Sequence, residues 1–318
     1  MLLEFAPMEG ITTSAYRRLH HELFSGVDRY YTPFWSPTQD HRLTNRDKRE
    51  LLPEQNEGMN IVPQLLTKNE ADFIWGAQEL HAMGYEEVNL NVGCPSGTVT
   101  AKGKGSGMLA DLERLRQFLD EVFDKSPCAI SIKTRLGLRE PEEFEQVLEL
   151  YNRYPIKQLT IHPRVRQDLY RHPVRMEWFE YAVEHSKNPL AFNGGLVTVA
   201  DYQACADRYP QMVAIMVGQA LVSDPAYARK IKGGAGATKE ELREFHDRLL
   251  DTYAELFESR LNAIKRMKEL WFYESRMFEE SDQMVKQILK TKKPDEYAVQ
   301  TAEAFRQLKL LPQSRGGW

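Results

Sequence analysis

The sequence predicts an α/β protein: a (β/α)8 TIM barrel followed by a small all-α helical-bundle domain. Three observations carry this. Strand-like and helix-like runs alternate from the start of the chain to residue 219, eight such strands can be counted, and from residue 239 onward only helical periodicity is left. A length of 318 residues accommodates one barrel of about 230–250 residues and a small second domain. Eight repeats favour a closed barrel over an open doubly wound sheet. The composition divides the chain into residues 1–236, the barrel, and 237–318, the bundle, joined by the small-residue linker KGGAGAT at 232–238.

The strand-like runs are LLEFAPM (2–8), RYYTPF (29–34), IVPQLL (61–66), EVNLNVG (87–93), AISIKTR (129–135), QLTIHPR (158–164), LAFNGG (190–195) and AIMVGQ (214–219). Amphipathic helices are predicted between them at 13–24, 70–83, 111–123, 140–154, 177–185 and 199–208. The polar, Pro- and Asn-bearing segment 37–59 predicts a long loop with one short helix. Beyond the linker, four helical runs at 239–257, 260–278, 281–291 and 294–308 predict the bundle.

Hydrophobic residues make up 42% of the chain, enough for a sizeable core, and the net charge is −4, so any nucleic-acid binding needs a local basic patch. From residue 260 to the end there are 12 Lys/Arg against 8 Asp/Glu, which leaves this tail at +4 and the remainder at −8. Three cysteines without CxxC spacing argue against a disulfide scaffold or a structural zinc site and fit a reducing, cytoplasmic setting. The absence of an HxH, HExxH or clustered-carboxylate pattern argues against metal catalysis. The opening MLLEFAPMEG has no basic n-region and reads as a strand, and no stretch of 18 apolar residues predicts a membrane span.

Polar residues gather at the carboxyl ends of the strand-like runs, where the active site of a barrel lies. They are Gln64, Asn89 and Asn91, Lys133 and Arg135, His162 and Arg164, Asn193-Gly194-Gly195, and Gly218-Gln219. The glycines of FNGG and VGQA let the backbone approach an anion, so the last two loops read as a phosphate site, against a plain βα turn. Lys133 alternates with isoleucines in AISIKTR and therefore faces the interior, where an amine needs an anionic or strongly polar partner such as a reduced flavin. Gln64 can both donate and accept, which matches a flavin ring edge. Cys94, in a glycine-rich loop after the fourth strand, is a candidate nucleophile or proton donor, whereas Cys128 and Cys205 read as small buried hydrophobes. His162 and Arg164, two apart on a strand, share one face and suit anion or ring recognition.

Together these segments resemble the tRNA-dihydrouridine synthase family. APMEGITTSAYRRL resembles its opening signature and NVGCPSGTVTAKGKGSGML its catalytic-cysteine loop; SIKTRLGL, TIHPRVRQDLY, FNGGL and MVGQAL follow in the family's order, and NAIKRMKELWFYESRMF resembles part of its helical domain. The resemblance implies an FMN-dependent oxidoreductase that uses NADPH to reduce the C5–C6 double bond of uridine in RNA, with tRNA the expected substrate, to dihydrouridine. It implies Cys94 as the proton donor to C5 and Pro7, Met8, Gln64, Lys133, His162, Asn193, Gly195, Gly218 and Gln219 as FMN contacts. Asn91 and Arg164 would face the uracil, and Lys102 and Lys104, with the helical domain, would contact phosphates. A monomer without metal and without a membrane attachment is expected. Three departures stand out: Gly218-Gln219 where the family often has Gly-Arg, Thr32-Pro33 where it often has Thr-Glu, and PSGTV without a frequent lysine before the valine. They bear on the RNA position more than on the flavin, and ribosomal RNA is the other substrate to weigh. The alternative reading is an FMN barrel acting on a small-molecule enone or pyrimidine, which leaves the basic bundle unexplained.

Overall fold

The computed structural model describes residues 1–317. Its strands are β1 (Leu2–Phe5), β2 (Arg29–Tyr31), β3 (Ile61–Val62), β4 (Gln64–Leu65), β5 (Glu87–Val92), β6 (Ala129–Arg135), β7 (Leu159–His162), β8 (Leu190–Asn193) and β9 (Ala214–Val217). They form one sheet in the order β3-β2-β1-β9-β8-β7-β6-β5-β4. The pairs β1–β2 and β2–β3, and each neighbouring pair from β4 to β9, are parallel.

The two ends of that order, β3 and β4, are separated in the chain by Pro63 alone. The third strand expected from the sequence is therefore one strand interrupted at a residue with no N–H to give to a ladder. Before the break its backbone serves β2, with Thr32 N donating to Val62 O at 3.2 Å; at the break Asn89 N of β5 donates to Pro63 O at 2.8 Å. The sheet closes on itself through this residue, and the nine pieces make the eight-stranded (β/α)8 TIM barrel.

Side chains crossing the interior follow from this closure. Glu4 of β1 accepts a hydrogen bond from Gln158, which precedes β7, at 2.8 Å, and Gln158 also donates to Thr160 and to the Tyr31 hydroxyl. Further along, Gln64 lies level with Asn89, Asn89 with Ser131, and Asn91 with Lys133. The intervening residues Leu3, Phe5, Leu90, Ile132, Ile161 and Phe192 are fully or almost fully buried. Each contributes roughly 1.5–3 kcal/mol of burial. Alternation thus splits each strand between an apolar face and a hydrogen-bonded polar one, which is why polar residues can occupy a barrel core.

The helices start where side chains cap them. Asn69 accepts from Asp72 N at 2.9 Å ahead of Glu70–Ala82, and Asp111 accepts from Arg114 N at 3.0 Å ahead of Leu112–Lys125. The polar segment 37–59 carries the short helix Asn45–Leu51 with a Thr44/Asp47 capping box.

Two compact units are distinguishable. The first comprises residues 1–9, 28–195 and 208–216 and holds the sheet. The second comprises 10–27, 196–207 and the described residues from 217 onward. It contains the helices Ser14–Phe24, Val199–Arg208 (all but its last residue), Lys239–Leu256, Arg260–Glu274, Asp282–Lys290 and Pro294–Gln307. Its core is aromatic: Phe245 packs edge-on against Tyr16 and Phe24 at 5.2 and 5.3 Å between centroids. Buried Trp271 donates its indole N–H to the Tyr297 hydroxyl at 3.1 Å.

Candidate active site

The Cys94 loop is anchored from inside the barrel. Asn91 Oδ1 accepts from the backbone N–H groups of Gly93 at 3.1 Å and of Cys94 at 2.9 Å. The Asn91 amide donates to Gln64 Oε1 at 2.8 Å, Gln64 Nε2 donates to Asn89 Oδ1 at 2.7 Å, and Asn89 Nδ2 donates to Ser131 Oγ at 3.0 Å. On its other side the Cys94 carbonyl accepts from Ser106 N at 3.1 Å and Ser106 Oγ at 2.8 Å. The cysteine is therefore held through its backbone, leaving a half-buried thiol. Burial pushes that thiol above its ordinary value of 9.0; a hydrogen bond from the Ser96 backbone, and then the positive charges of Lys133 and Arg135, pull it back less strongly. At neutral pH it carries its proton, as an acid must. Cys128 differs: it is buried, donates to the carbonyls of Ala77 and Tyr85, and is pushed up to about 11.

The Lys133 side chain, level with Asn91 on the next strand, has no hydrogen bond or ion pair among the described residues. Burial, then the charge of Arg135, lowers its amine from 10.5 to about 7, while Cys94 works in the opposite direction. His162 is held well below 6.5 by burial and by Arg135, Lys133 and Arg164, so it is neutral. Arg164 Nη1 lies 2.7 Å from His162 Nε2, and because arginine only donates, the histidine proton sits on Nδ1. The same guanidinium donates to His172 O at 2.5 Å. Gly194 leaves the room this ring needs, since a Cβ there would lie 2.9 Å from His162 Nε2. Cys94, Lys133, Arg135, His162 and Arg164 therefore form one electrostatic group, and Gln64 and Asn91 join it by hydrogen bonds.

Arg135 has a role that strand spacing does not reveal. Its three guanidinium nitrogens donate to the carbonyls of Gly93, Val165 and Leu169 at 3.0, 3.0 and 2.9 Å, which ties the cysteine loop to the loop after β7. It also lies 5.3 Å from the ring centroid of Tyr170, an exposed aromatic that strand-end patterning does not single out. Arg164 and Asn91 are likewise committed to internal bonds. The signal for Arg135 was its same-face spacing from Lys133, but its partners are carbonyls of loops whose course no local pattern specifies.

Among the other residues singled out, Pro7 and Met8 are half-buried just past β1. Asn193 donates to Met216 O at 2.8 Å, bracing β8 against β9, and Gly195 is exposed two residues on. Gly218 and Gln219 belong to the second unit, where Gly218 precedes the short helix Gln219–Ser223. Lys102 is exposed, and Lys104 donates to Ser36 Oγ at 2.8 Å. Burial lowers the Lys104 amine; Asp72 works against this, and Lys102 and Lys68 add to it. Lys68 thereby joins the two lysines already named.

A (β/α)8 barrel that gathers a protonated thiol, an amine unpaired among the described residues and a neutral imidazole on successive strand ends is the framework of an enzyme. The family model described as dihydrouridine synthase matches residues 4–311, and the chain belongs to that family, an oxidoreductase family that depends on flavin. The tRNA-dihydrouridine(16) synthase of Pseudomonas putida is 27% identical over 257 residues, covering 78% of this chain and 79% of that protein. The tRNA-dihydrouridine synthase B of Pasteurella multocida is 25% identical over 221 residues, covering 69% and 65%. Among solved structures, morphinone reductase superposes with a TM-score of 0.52 at 12% identity over 75% of this chain and 87% of that one, a likeness of fold.

Proposed function

We propose that this chain reduces the C5–C6 bond of a uridine in tRNA to dihydrouridine, with FMN as its flavin and NADPH as the reductant. One observation carries the reading: an interior amine with no counter-ion among the described residues stands beside a thiol that burial keeps protonated. The residues fit a flavin. Lys133 supplies a cation for the anionic reduced ring, and Pro7, Met8, Gln64, His162, Asn193, Gly195, Gly218 and Gln219 are the further contacts assigned to it by resemblance. When bound, FMN supplies the hydride for C6.

Cys94 gives its proton to C5, which balances the hydride and leaves a thiolate that Lys133 and Arg135 stabilise. Asn91 holds the loop that aims the thiol. Positioned general acids of this kind contribute about 10²–10⁴-fold. Neutral His162, with its proton on Nδ1, is a hydrogen-bond donor rather than a charge. Asn91 and Arg164 face the uracil in this reading; since both are already bonded internally, they shape its pocket as much as they touch it.

A base stacked in folded RNA must be turned out before it reaches such a site, at a cost of a few kcal/mol. Phosphate contacts offset that cost. Lys102 and Lys104 beside the cysteine loop, together with the 237–318 bundle, are the surfaces proposed to make them. The chain works in the cytoplasm as a monomer in this reading. The Cys94→Ala variant should keep its flavin colour and lose RNA turnover by at least about 10²-fold. Turnover unchanged in that variant would remove the acid role. Nucleoside mass spectrometry of RNA from a strain lacking the gene identifies the uridine: loss of dihydrouridine from tRNA is expected, and a loss confined to ribosomal RNA would correct the substrate.

A further inference from the structure

We infer that residues 309–316 form a strap that fixes the two loops following β8 and β9, and so sets how firmly the flavin is retained. The inference rests on the flavin reading above. After the helix Pro294–Gln307 the chain runs antiparallel to residues 276–279. Glu279 N donates to Lys309 O at 2.9 Å, Phe278 and Leu310 form a bridge, Leu311 N donates to Met277 O at 2.8 Å, and Arg315 N donates to Arg276 O at 3.1 Å. The Arg315 side chain adds a bond to Ser281 Oγ at 3.0 Å, and Lys230 donates to Pro312 O at 3.0 Å. This segment is thus bonded along its length.

Two contacts give the strap its role. The hydroxyl of Ser314, a residue 4% exposed, lies 2.6 Å from the hydroxyl of fully buried Ser223. Ser223 spends its single proton on Tyr273 O at 3.0 Å, so Ser314 is the donor to Ser223. Gly316 N in turn donates to Ser314 Oγ at 3.3 Å, which completes a chain of bonds with one direction. Ser223 ends the five-residue helix Gln219–Ser223 that starts beside Gly218. The second contact is Gly316 itself. It sits at φ +67°, and a Cβ there would lie 3.1 Å from Val197 Cγ1. Val197 is two residues past Gly195.

The segments that follow β8 and β9 therefore rest on the same strap. Loops at these two positions are where barrels of this class hold a ligand phosphate. A helix of one turn has no stability of its own and takes its geometry from what packs on it. Here Ala220, Leu221 and Val222 are buried, and the Ser314–Ser223 pair fixes the end of the helix. A strap bonded on one edge to 276–281 and on the other to Ser223, with Gly316 packed close to Val197, keeps both loops at a fixed separation.

The test uses the purified holoenzyme and the variants S314A, S223A and G316V. FMN release is followed by the rise in flavin fluorescence on dilution, alongside affinity for tRNA and the melting temperature. S314A and S223A should each release FMN about tenfold faster, the equivalent of one buried hydrogen bond, and G316V should release it faster as well, all with tRNA affinity within about twofold of wild type. Wild-type release rates in S314A and S223A would overturn the strap. So would a parallel loss of tRNA affinity and melting temperature, which would mark general destabilisation. G316V tests the Val197 contact; if it fails to fold, the two serine variants, each lacking one hydroxyl, still decide. If the wild-type protein takes up no FMN, the flavin reading itself falls, and the strap proposal with it.

Discussion

Lys133 sets the character of the site. An amine brought to about 7 from 10.5 by burial gives up much of its charge at neutral pH and regains it when an anion is placed beside it. In the flavin-free protein this has a definite pH signature. Between 7 and 10.5 the unfolded chain holds a proton on this lysine that the folded chain has released. Stability therefore rises with pH across that window and is lost as pH falls through it. Urea unfolding of the flavin-free protein should show this rise, and Lys133→Met should abolish it while lowering flavin affinity at least about tenfold. An unchanged pH slope in that variant would place the proton elsewhere. Lys133 was legible in the sequence because strand alternation with isoleucines leaves only the interior for it. The duties of Arg135 and Arg164 were not legible. Their partners are main-chain carbonyls and a ring nitrogen brought near by loops, and a loop's course is not written in the period of its residues.

At the scale of elements, regular structure was legible and its interruptions were not. The run IVPQLL reads as one strand, and it is one, except that Pro63 breaks the ladder at the point where the barrel closes. The bundle helices announced themselves by their 3.6-residue period. The strap did not, because residues 309–316 have neither helical nor strand alternation and bond to backbone from elsewhere. Helix Arg260–Glu274 ends on a further feature its period conceals. Glu274 is 7% exposed, its Oε1 has no hydrogen-bond partner among the described residues, and burial raises its carboxyl from 4.5 to about 7, with His246 drawing it down and the Tyr297 hydroxyl nearby. Between those two values the folded chain keeps a proton the unfolded chain has released. The contribution to stability is thus greatest below 4.5 and gone above 7. Glu274→Gln should stabilise the protein at pH 8 by about 1–3 kcal/mol and leave it little changed near pH 4.5. Chemical denaturation at the two pH values measures this, and equal effects at both would contradict a buried carboxyl that titrates.

For the whole molecule the question is where RNA meets the protein. The sequence showed a tail with 12 Lys/Arg against 8 Asp/Glu but not which cations are free to bind. Arg260, Arg266, Arg306 and Lys309 are paired with Asp251, Glu269, Glu303 and Glu279, and Lys268 closes the end of Asp282–Lys290 by donating to Leu289 O and Thr291 O. Lys286, Lys290, Lys292 and Lys293 are exposed and have no ion pair among the described residues. They are the cations best able to exchange bound counterions for phosphates. Deleting 237–318 would be a poor test, because it strips Phe245 from Tyr16 and Phe24 and opens the aromatic core of the second unit. Replacing the four lysines with glutamine keeps that core. The quadruple variant should bind tRNA more weakly at low salt and retain its flavin. The slope of log affinity against log salt should shrink by about 0.7–0.9 for each phosphate that is no longer neutralised. A slope equal to that of wild type would move the RNA off this surface and leave Lys68, Lys102 and Lys104, beside the cysteine loop, as the cations to substitute next.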